Sequence, residues 1–401
     1  MSIRCSLGLP ASIREKSRLD GGLIKKPAFV AGFYYTSMEK NQKAILIDLI
    51  HPKMLKRHAL ERMVELEELV NTYGGIVIVK AWQKRFAPHP KTYIGTGKGE
   101  LLGKEARELG ANILIINAQL KPRQVYDLGE MLRPHGVQVW DRIDLILKIF
   151  AKHARTSEAK LEIELASVRH MGPRIFGMGM ELSRQGGGIG TVGVGETNTE
   201  RMKRHLREKE RKLKDKLESY QNGRDLARRH RSRQGLKTVS IVGYTNAGKT
   251  TLLNALTGRK EYAADELFAT LDTRVGQLYL PGSQSMVLLT DTIGFIKDLP
   301  PELLNAFSST LSEAVDADLL IHVVDGSDPN WQKQVQVVEE ILERLGVSST
   351  PRLVVFNKQD QAAPELQARI IRAYEEQPPI WISAANGQGL ENLLEHIQNS
   401  L

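Results

Sequence analysis

The sequence predicts an α/β chain in three parts: a small parallel α/β domain, a long two-helix linker with a Gly-rich loop, and a C-terminal domain on a mostly parallel six-stranded sheet. Three observations predict it. Short apolar runs alternate with helix-period segments between Lys43 and Trp140. A glycine cluster interrupts a long charged stretch that follows, and six more apolar runs come after Lys237. At 401 residues and 41% apolar content the chain has room for two or three domains, each with a core of its own.

The elements follow in order. Residues 1–40 show no clear periodicity and are read as an N-terminal extension, disordered at least in part. In residues 41–140 the runs AILIDLI, IVIVK, NILIIN and VQVW alternate with LKRHALERMVELEELVNTYG, KGELLGKEARELG and PRQVYDLGEMLRPHG. Each helical segment ends near a glycine, as a helix C-cap does, which makes a βαβ rhythm and a parallel sheet. Residues 141–236 form the linker. Asp141 to His170 is helical and is expected to stop at Gly172-Pro173. Residues 172–198 hold nine glycines and are expected to be a flexible loop. Thr199 to Arg233 is a charged helix with an expected break near Asn222-Gly223. Residues 237–401 carry KTVSIVGYTN, RVGQLYL, MVLLTDT, DLLIHVVD, RLVVFNK and PIWIS as six strands, the second and third joined by the turn Pro281-Gly282-Ser283-Gln284.

The formal charge of +9 divides unevenly along the chain. Residues 1–198 hold 30 Lys and Arg against 20 Asp and Glu, residues 199–237 hold 15 against 6, and residues 238–401 hold 11 against 21. A basic first half points to a polyanionic partner, and an acidic second half points to separate work. The single cysteine, Cys5, cannot form an intramolecular bridge, and no apolar run approaches the ~18 residues of a membrane span. The reading is a cytoplasmic chain with no targeting segment and no membrane span.

Four motifs carry chemistry. GYTNAGKT, comprising Gly243, Tyr244, Thr245, Asn246, Ala247, Gly248, Lys249 and Thr250, fits G-x-x-x-x-G-K-[ST] between the strand VSIVG and the helix TTLLNALTG. Its glycines let successive N–H groups turn inward on phosphates, Lys249 supplies a positive charge, and the Thr250 hydroxyl suits Mg²⁺. DTIG, comprising Asp291, Thr292, Ile293 and Gly294, closes the strand MVLLT, where an Asp can hold a Mg²⁺-bound water and the Gly294 N–H can sense a γ-phosphate. NKQD, comprising Asn357, Lys358, Gln359 and Asp360, selects the base: the Asp360 carboxylate accepts the N1–H and N2–H₂ donors of guanine, and adenine would leave it unpaired. Ser383, Ala384 and Ala385 after PIWI add a backbone N–H for the guanine O6. Singly, NKQD or SAA is an ordinary polar loop; four motifs in this order point to a P-loop GTPase domain that binds GTP and GDP.

The set resembles the small GTPases of translation, and further residues resemble the HflX family within them. LFATLDT (267–273) is similar to that family's switch I, and GGGIGTVGVGET, WDRIDLILKIFAKHARTSEAKLEIELA and YIGTGKGELL are similar to its other signatures, over about residues 43–401. The resemblance implies that Thr270 joins Thr250 at the metal when the γ-phosphate is present. It also implies that Phe268, Ala269, Thr270, Leu271 and Asp272 line the nucleotide, and that the partner is the rRNA of the large (50S) ribosomal subunit. It implies a role in translation, in rescue or splitting of ribosomes under stress, or in ribosome biogenesis, with a monomer off the ribosome. The chain departs from the pattern at GETNTE, where GET-Q-L-E is common, and at Val192, where an arginine often stands. It ends just after GLENLLEHIQNSL, so the extra C-terminal domain of longer members is not expected.

Where many GTPases place a water-orienting Gln after D-x-x-G, this chain has Phe295, so unassisted turnover is expected near the ~10⁻⁴ s⁻¹ of an unassisted small GTPase. Asn246 could ligate K⁺ in place of an arginine finger, or simply bond within its turn. Nine basic residues from Arg201 to Lys216, with Arg224, Arg228, Arg229, Arg231 and Arg233, suit RNA phosphates, alongside Arg174 and Arg184. GTGKG in YIGTGKGE reads as a turn before a helix more readily than as a second nucleotide site. His51, His58, His89, His135 and His153 show no metal-ligand spacing. Two alternatives remain: a tRNA-modification accessory GTPase, for which the C-terminal half lacks a supporting cysteine, and a small-molecule P-loop kinase, which NKQD disfavours.

Overall fold

The computed structural model describes residues 42–185, 194–258, 268, 274–292, 294–296, 303, 311, 314–375 and 378–401, with no account of the side chains at 175–199, 231 and 232. The first sheet is built from β1 (Lys43–Ile50), β2 (Ile76–Lys84), β3 (Ile113–Ile116) and β4 (Gln138–Asp141), all parallel, in the order β2-β1-β3-β4. Between them run α1 (Lys56–Tyr73), α2 (Thr96–Leu109) and α3 (Pro122–Leu132). Alternation along β1 sends Ile45 and Ile47 into one apolar cluster, with Leu102, Leu128 and Leu132 of α2 and α3. It sends Ala44 and Leu46 into another, with Met63 and Leu66 of α1. Residues 95–99, the GTGKG segment, form the cap and first turn of α2.

The next helix, α4 (Arg142–His153), starts from a reciprocal cap: the Asp141 carboxylate accepts from the Asp144 N–H at 2.8 Å, and the Asp144 carboxylate accepts from the Asp141 N–H at 3.0 Å. The single helix expected over Asp141–His170 breaks after His153, where Ala154 is extended at φ −63° and ψ 118°, and resumes as α5 (Ser157–Gln185), so that with α6 (Val194–Arg233) the described linker residues form three helices where two were expected.

Here the structure corrects the sequence reading. The helix does not stop at Gly172-Pro173 but runs through Pro173 to Gln185, and α6 begins at Val194, so most of the expected 172–198 loop is helical. The proline costs a hydrogen bond, yet the next residue anchors the helix: buried Arg174 donates to Asp141 at 2.5 Å and to Asp144 at 2.8 Å. Residues 186–193 of the expected loop, and the side chain of Arg184, lie outside the described residues. The break expected near Asn222-Gly223 is also absent, since α6 is continuous. Gly223 sits where an added Cβ would meet nothing within 4 Å, and its ~1 kcal/mol helix penalty is offset by strong helix formers around it and the Arg224–Glu158 ion pair to α5.

The second sheet contains β5 (Lys237–Gly243), β6 (Arg274–Leu280), β7 (Ser285–Asp291), β8 (Leu319–Asp325), β9 (Arg352–Asn357) and β10 (Ile380–Trp381) in the order β10-β9-β8-β5-β7-β6. Only the β6–β7 hairpin is antiparallel, as the turn at 281–284 predicts. Its helices are α7 (Lys249–Thr257), α8 (Trp331–Arg344), α9 (Pro364–Ala373) and α10 (Leu390–Ser400). The chain leaves β5 toward β7 on one side and returns to β8 on the other. That reversal opens a crevice beyond the carboxyl end of β5, the usual ligand position in such a sheet.

Candidate nucleotide site

All four motifs sit at carboxyl ends of strands: Gly243–Thr250 after β5, Asp291–Gly294 after β7, Asn357–Asp360 after β9 and Ser383–Ala385 after β10. Steric demand explains the two loop glycines. At Gly243, φ is +155° and an added Cβ would lie 2.2 Å from the Val323 carbonyl oxygen; at Gly248, φ is +92° and it would lie 2.2 Å from Asn357 Nδ2. Asn246, at φ +61° and exposed, takes a left-handed conformation that Asn tolerates.

The loop is stitched to the DTIG strand. The Thr245 N–H donates to the Phe295 carbonyl at 2.7 Å, and the Phe295 N–H donates to the Gly243 carbonyl at 3.1 Å. Thr292 donates its hydroxyl to the Ile241 carbonyl at 2.8 Å, fastening the same segment to β5. Lys249 is buried and donates to the Tyr244 carbonyl at 2.7 Å. Burial pulls its ammonium down to about 8, against the opposing pull of Asp291. Thr250 Oγ1 donates to Asp291 Oδ2 at 2.7 Å, so two hard oxygen donors converge there, a donor set that suits Mg²⁺. The Phe295 side chain is fully buried.

The base side is similarly tied. Asn357 donates through Nδ2 to the Ala247 carbonyl at 2.9 Å and accepts at Oδ1 from the Ala384 N–H at 2.9 Å. Lys358, left-handed at φ +62°, pairs with Asp325 at 2.7 Å, and the Gln359 N–H donates to the Ile382 carbonyl at 3.1 Å. Ser383 and Ala384 are buried, whereas Asp360 and Ala385 stay exposed.

Of the switch residues, Phe268 is described, and its ring packs on Phe150 of α4, with centroids 4.6 Å apart. Ala269, Thr270, Leu271, Asp272 and Ile293 lie outside the described residues. Sequence reasoning missed Asp325, the partner of Lys358, and Glu65, whose Oε1 accepts from the Tyr244 hydroxyl at 3.4 Å. It also missed a buried cluster in which His170 lies 3.2 Å from Asp144 and 3.4 Å from Asp141, beside Arg174. These partners come from distant segments and leave no local pattern. The cluster alone among the described residues has metal-like His and carboxylate spacing, but Arg174 already supplies its cation.

Family models described as GTP-binding GTPase N-terminal, GTP-binding GTPase Middle Region and 50S ribosome-binding GTPase match residues 60–151, 153–231 and 238–358. A GTPase HflX from Caldanaerobacter subterraneus subsp. tengcongensis is 44% identical over 85% of this chain and 77% of its own length. The GTPase HflX of Escherichia coli K12 is 38% identical over 88% of this chain and 82% of its own. Among solved structures, an SsGBP–GDP complex is similar, with a TM-score of 0.51 and 29% identity over 90% of this chain and all of that one.

Proposed function

The chain belongs to the HflX family of GTPases, and from that premise we propose that it couples GTP hydrolysis to binding of the large ribosomal subunit. The basic helical half contacts rRNA, and the cycle serves ribosome rescue or splitting under stress, or biogenesis. One observation carries this reading. On α6, Arg201, Arg204, Arg207, Arg211, Lys212 and Lys216 are exposed, with Arg229 further along, while Lys214 pairs with Glu210 at 2.9 Å and Arg228 with Asp316 at 2.5 Å. Such a surface suits phosphates. Off the ribosome the protein acts as a monomer in the cytoplasm; among the described residues no helix is long and apolar enough to cross a membrane.

In this mechanism the backbone N–H groups from Gly243 to Thr250 cradle the phosphates, Lys249 leaves the Tyr244 carbonyl for the β- and γ-phosphate oxygens, and Asp360 reads the guanine edge. Thr250 and Thr270 would hold Mg²⁺, with Asp291 behind its water; the ion would neutralise charge developing on the phosphates. Because the ring of Phe295 is buried, orientation of the attacking water falls to a group supplied by the ribosome, and exposed Asn246 would hold a K⁺ that adds positive charge in place of an arginine finger. Equal turnover in K⁺ and Na⁺ removes the K⁺ arm.

The deciding experiment is co-sedimentation with large subunits in a GTP analogue and in GDP. Greater retention in the analogue is expected; equal retention in both overturns the proposal. A tRNA-modification role predicts retention of tRNA and none of large subunits.

A further inference from the structure

Helix α4 meets the nucleotide site at both ends. At its first residue, Arg142 Nη2 donates to Glu65 Oε1 at 2.5 Å, and the same oxygen accepts from the hydroxyl of Tyr244 in the phosphate loop at 3.4 Å. In its last turn, the Phe150 ring stands edge-on to Phe268, with centroids 4.6 Å apart, and His153 Nδ1 lies 3.1 Å from the Phe268 carbonyl oxygen. A carbonyl only accepts, so the imidazole carries a proton on Nδ1. Twelve helical residues make a stiff rod of about 18 Å between these two attachments.

Phe268 is 2% exposed and sits at φ +57°, a conformation that a bulky residue keeps only where its surroundings over-determine it. Those surroundings are a buried apolar cluster that also contains Phe150, Phe295 and Ile296. The residue at the head of the switch segment and the residue after DTIG are thus packed into the same apolar mass, which α4 helps to build.

We infer that Phe150 and His153 are positioning residues for GTP hydrolysis. They hold Phe268, near the head of the LFATLDT segment, in one place and one conformation. This rests on the metal role proposed for Thr270. Neither side chain needs to touch the nucleotide. GDP, which has no γ-phosphate to engage the switch, is held by the phosphate loop and NKQD and is insensitive to this anchor. A purely structural role for His153, as a donor near the C-terminal end of a helix, would instead act on stability.

The test uses the full chain with Mg²⁺ and three variants, His153→Ala, His153→Asn and Thr270→Ala, each read by kcat and KM for GTP, GDP affinity and thermal midpoint. His153→Ala is expected to lower kcat about tenfold, the effect of one lost hydrogen bond, at unchanged GDP affinity. His153→Asn, whose side-chain amide can donate from near the Nδ1 position, restores most of it. An unchanged or raised kcat in His153→Ala overturns the inference, as does a parallel fall in kcat, GDP affinity and midpoint. Thr270→Ala separates the failures. If it spares kcat, the metal role of Thr270 falls and takes the inference with it; if it abolishes turnover while His153→Ala does not, only the positioning role falls.

Discussion

Asn357 Nδ2 donates to the Ala247 carbonyl at 2.9 Å, so a residue of NKQD ties down the Gly243–Thr250 loop. With Oδ1 accepting from the Ala384 N–H at 2.9 Å, this buried side chain joins three segments of the site. Asn357→Ala leaves both backbone groups without their partner, at about 1–3 kcal/mol each. Titration with a fluorescent GDP should show affinity lower by about 10–100-fold. Asn357→Asp keeps the acceptor but sets a carboxylate against the Ala247 carbonyl, so it should fare no better than Ala; near-native affinity in either variant contradicts the bridge.

Gly243 should not accept a side chain. A Cβ there would lie 2.2 Å from the Val323 carbonyl oxygen, and neither strand can yield, because Gly243 and Val323 are paired in the sheet. Gly243→Ala is expected to cost about 3 kcal/mol or more in chemical denaturation. A variant within 1 kcal/mol of the parent would show a freedom that the sheet does not provide.

Asp360 should set base choice. Asp360→Asn replaces the carboxylate proposed to accept two guanine donors by an amide that accepts one and donates once, the pattern that xanthine needs with its keto O2. Competition binding should show GTP affinity falling and XTP affinity rising. A variant that keeps its preference for GTP places recognition elsewhere.

The His170 cluster predicts a basic limit to stability. Burial alone would lower the His170 pKa, but Asp141 and Asp144 outweigh it and raise it to about 9, above the ordinary value near 6.5. The stabilisation is therefore complete below about pH 6.5 and is lost as pH rises through about 9. Lys249, lowered to about 8 by burial, works in the opposite direction above that pH. The informative quantity is the difference in unfolding free energy between the parent and His170→Gln, which should shrink from pH 6.5 to 9.5. A pH-independent difference contradicts a charged His170. In the acid range Asp144, held low by His170 and Arg174 against its own desolvation, keeps its contribution until the pH falls well below the usual carboxylate range.

The two βα regions and the nucleotide motifs were legible because their signals are local. Val239, Ile241 and Val242 make a buried strand, and the G-x-x-x-x-G-K-T spacing is a demand of one turn on its own backbone. Among the described residues, all ten strands fall where the apolar runs predict them. The linker was less legible: a proline and scattered glycines argue for a break, and nothing within residues 172–185 reveals that Arg174 is clamped by carboxylates some thirty positions earlier.

The sequence by itself determined the P-loop architecture, the guanine preference and the separation of a basic half from an acidic one, since each depends on neighbouring residues or on counts along the chain. Only the tertiary structure decided that Phe268 turns to Phe150 and His153, that Glu65 bonds Tyr244, and that α5 runs through Pro173. Those outcomes depend on groups separated by tens to more than a hundred positions, brought together when two sheets bury their apolar faces; no period or motif encodes such a meeting.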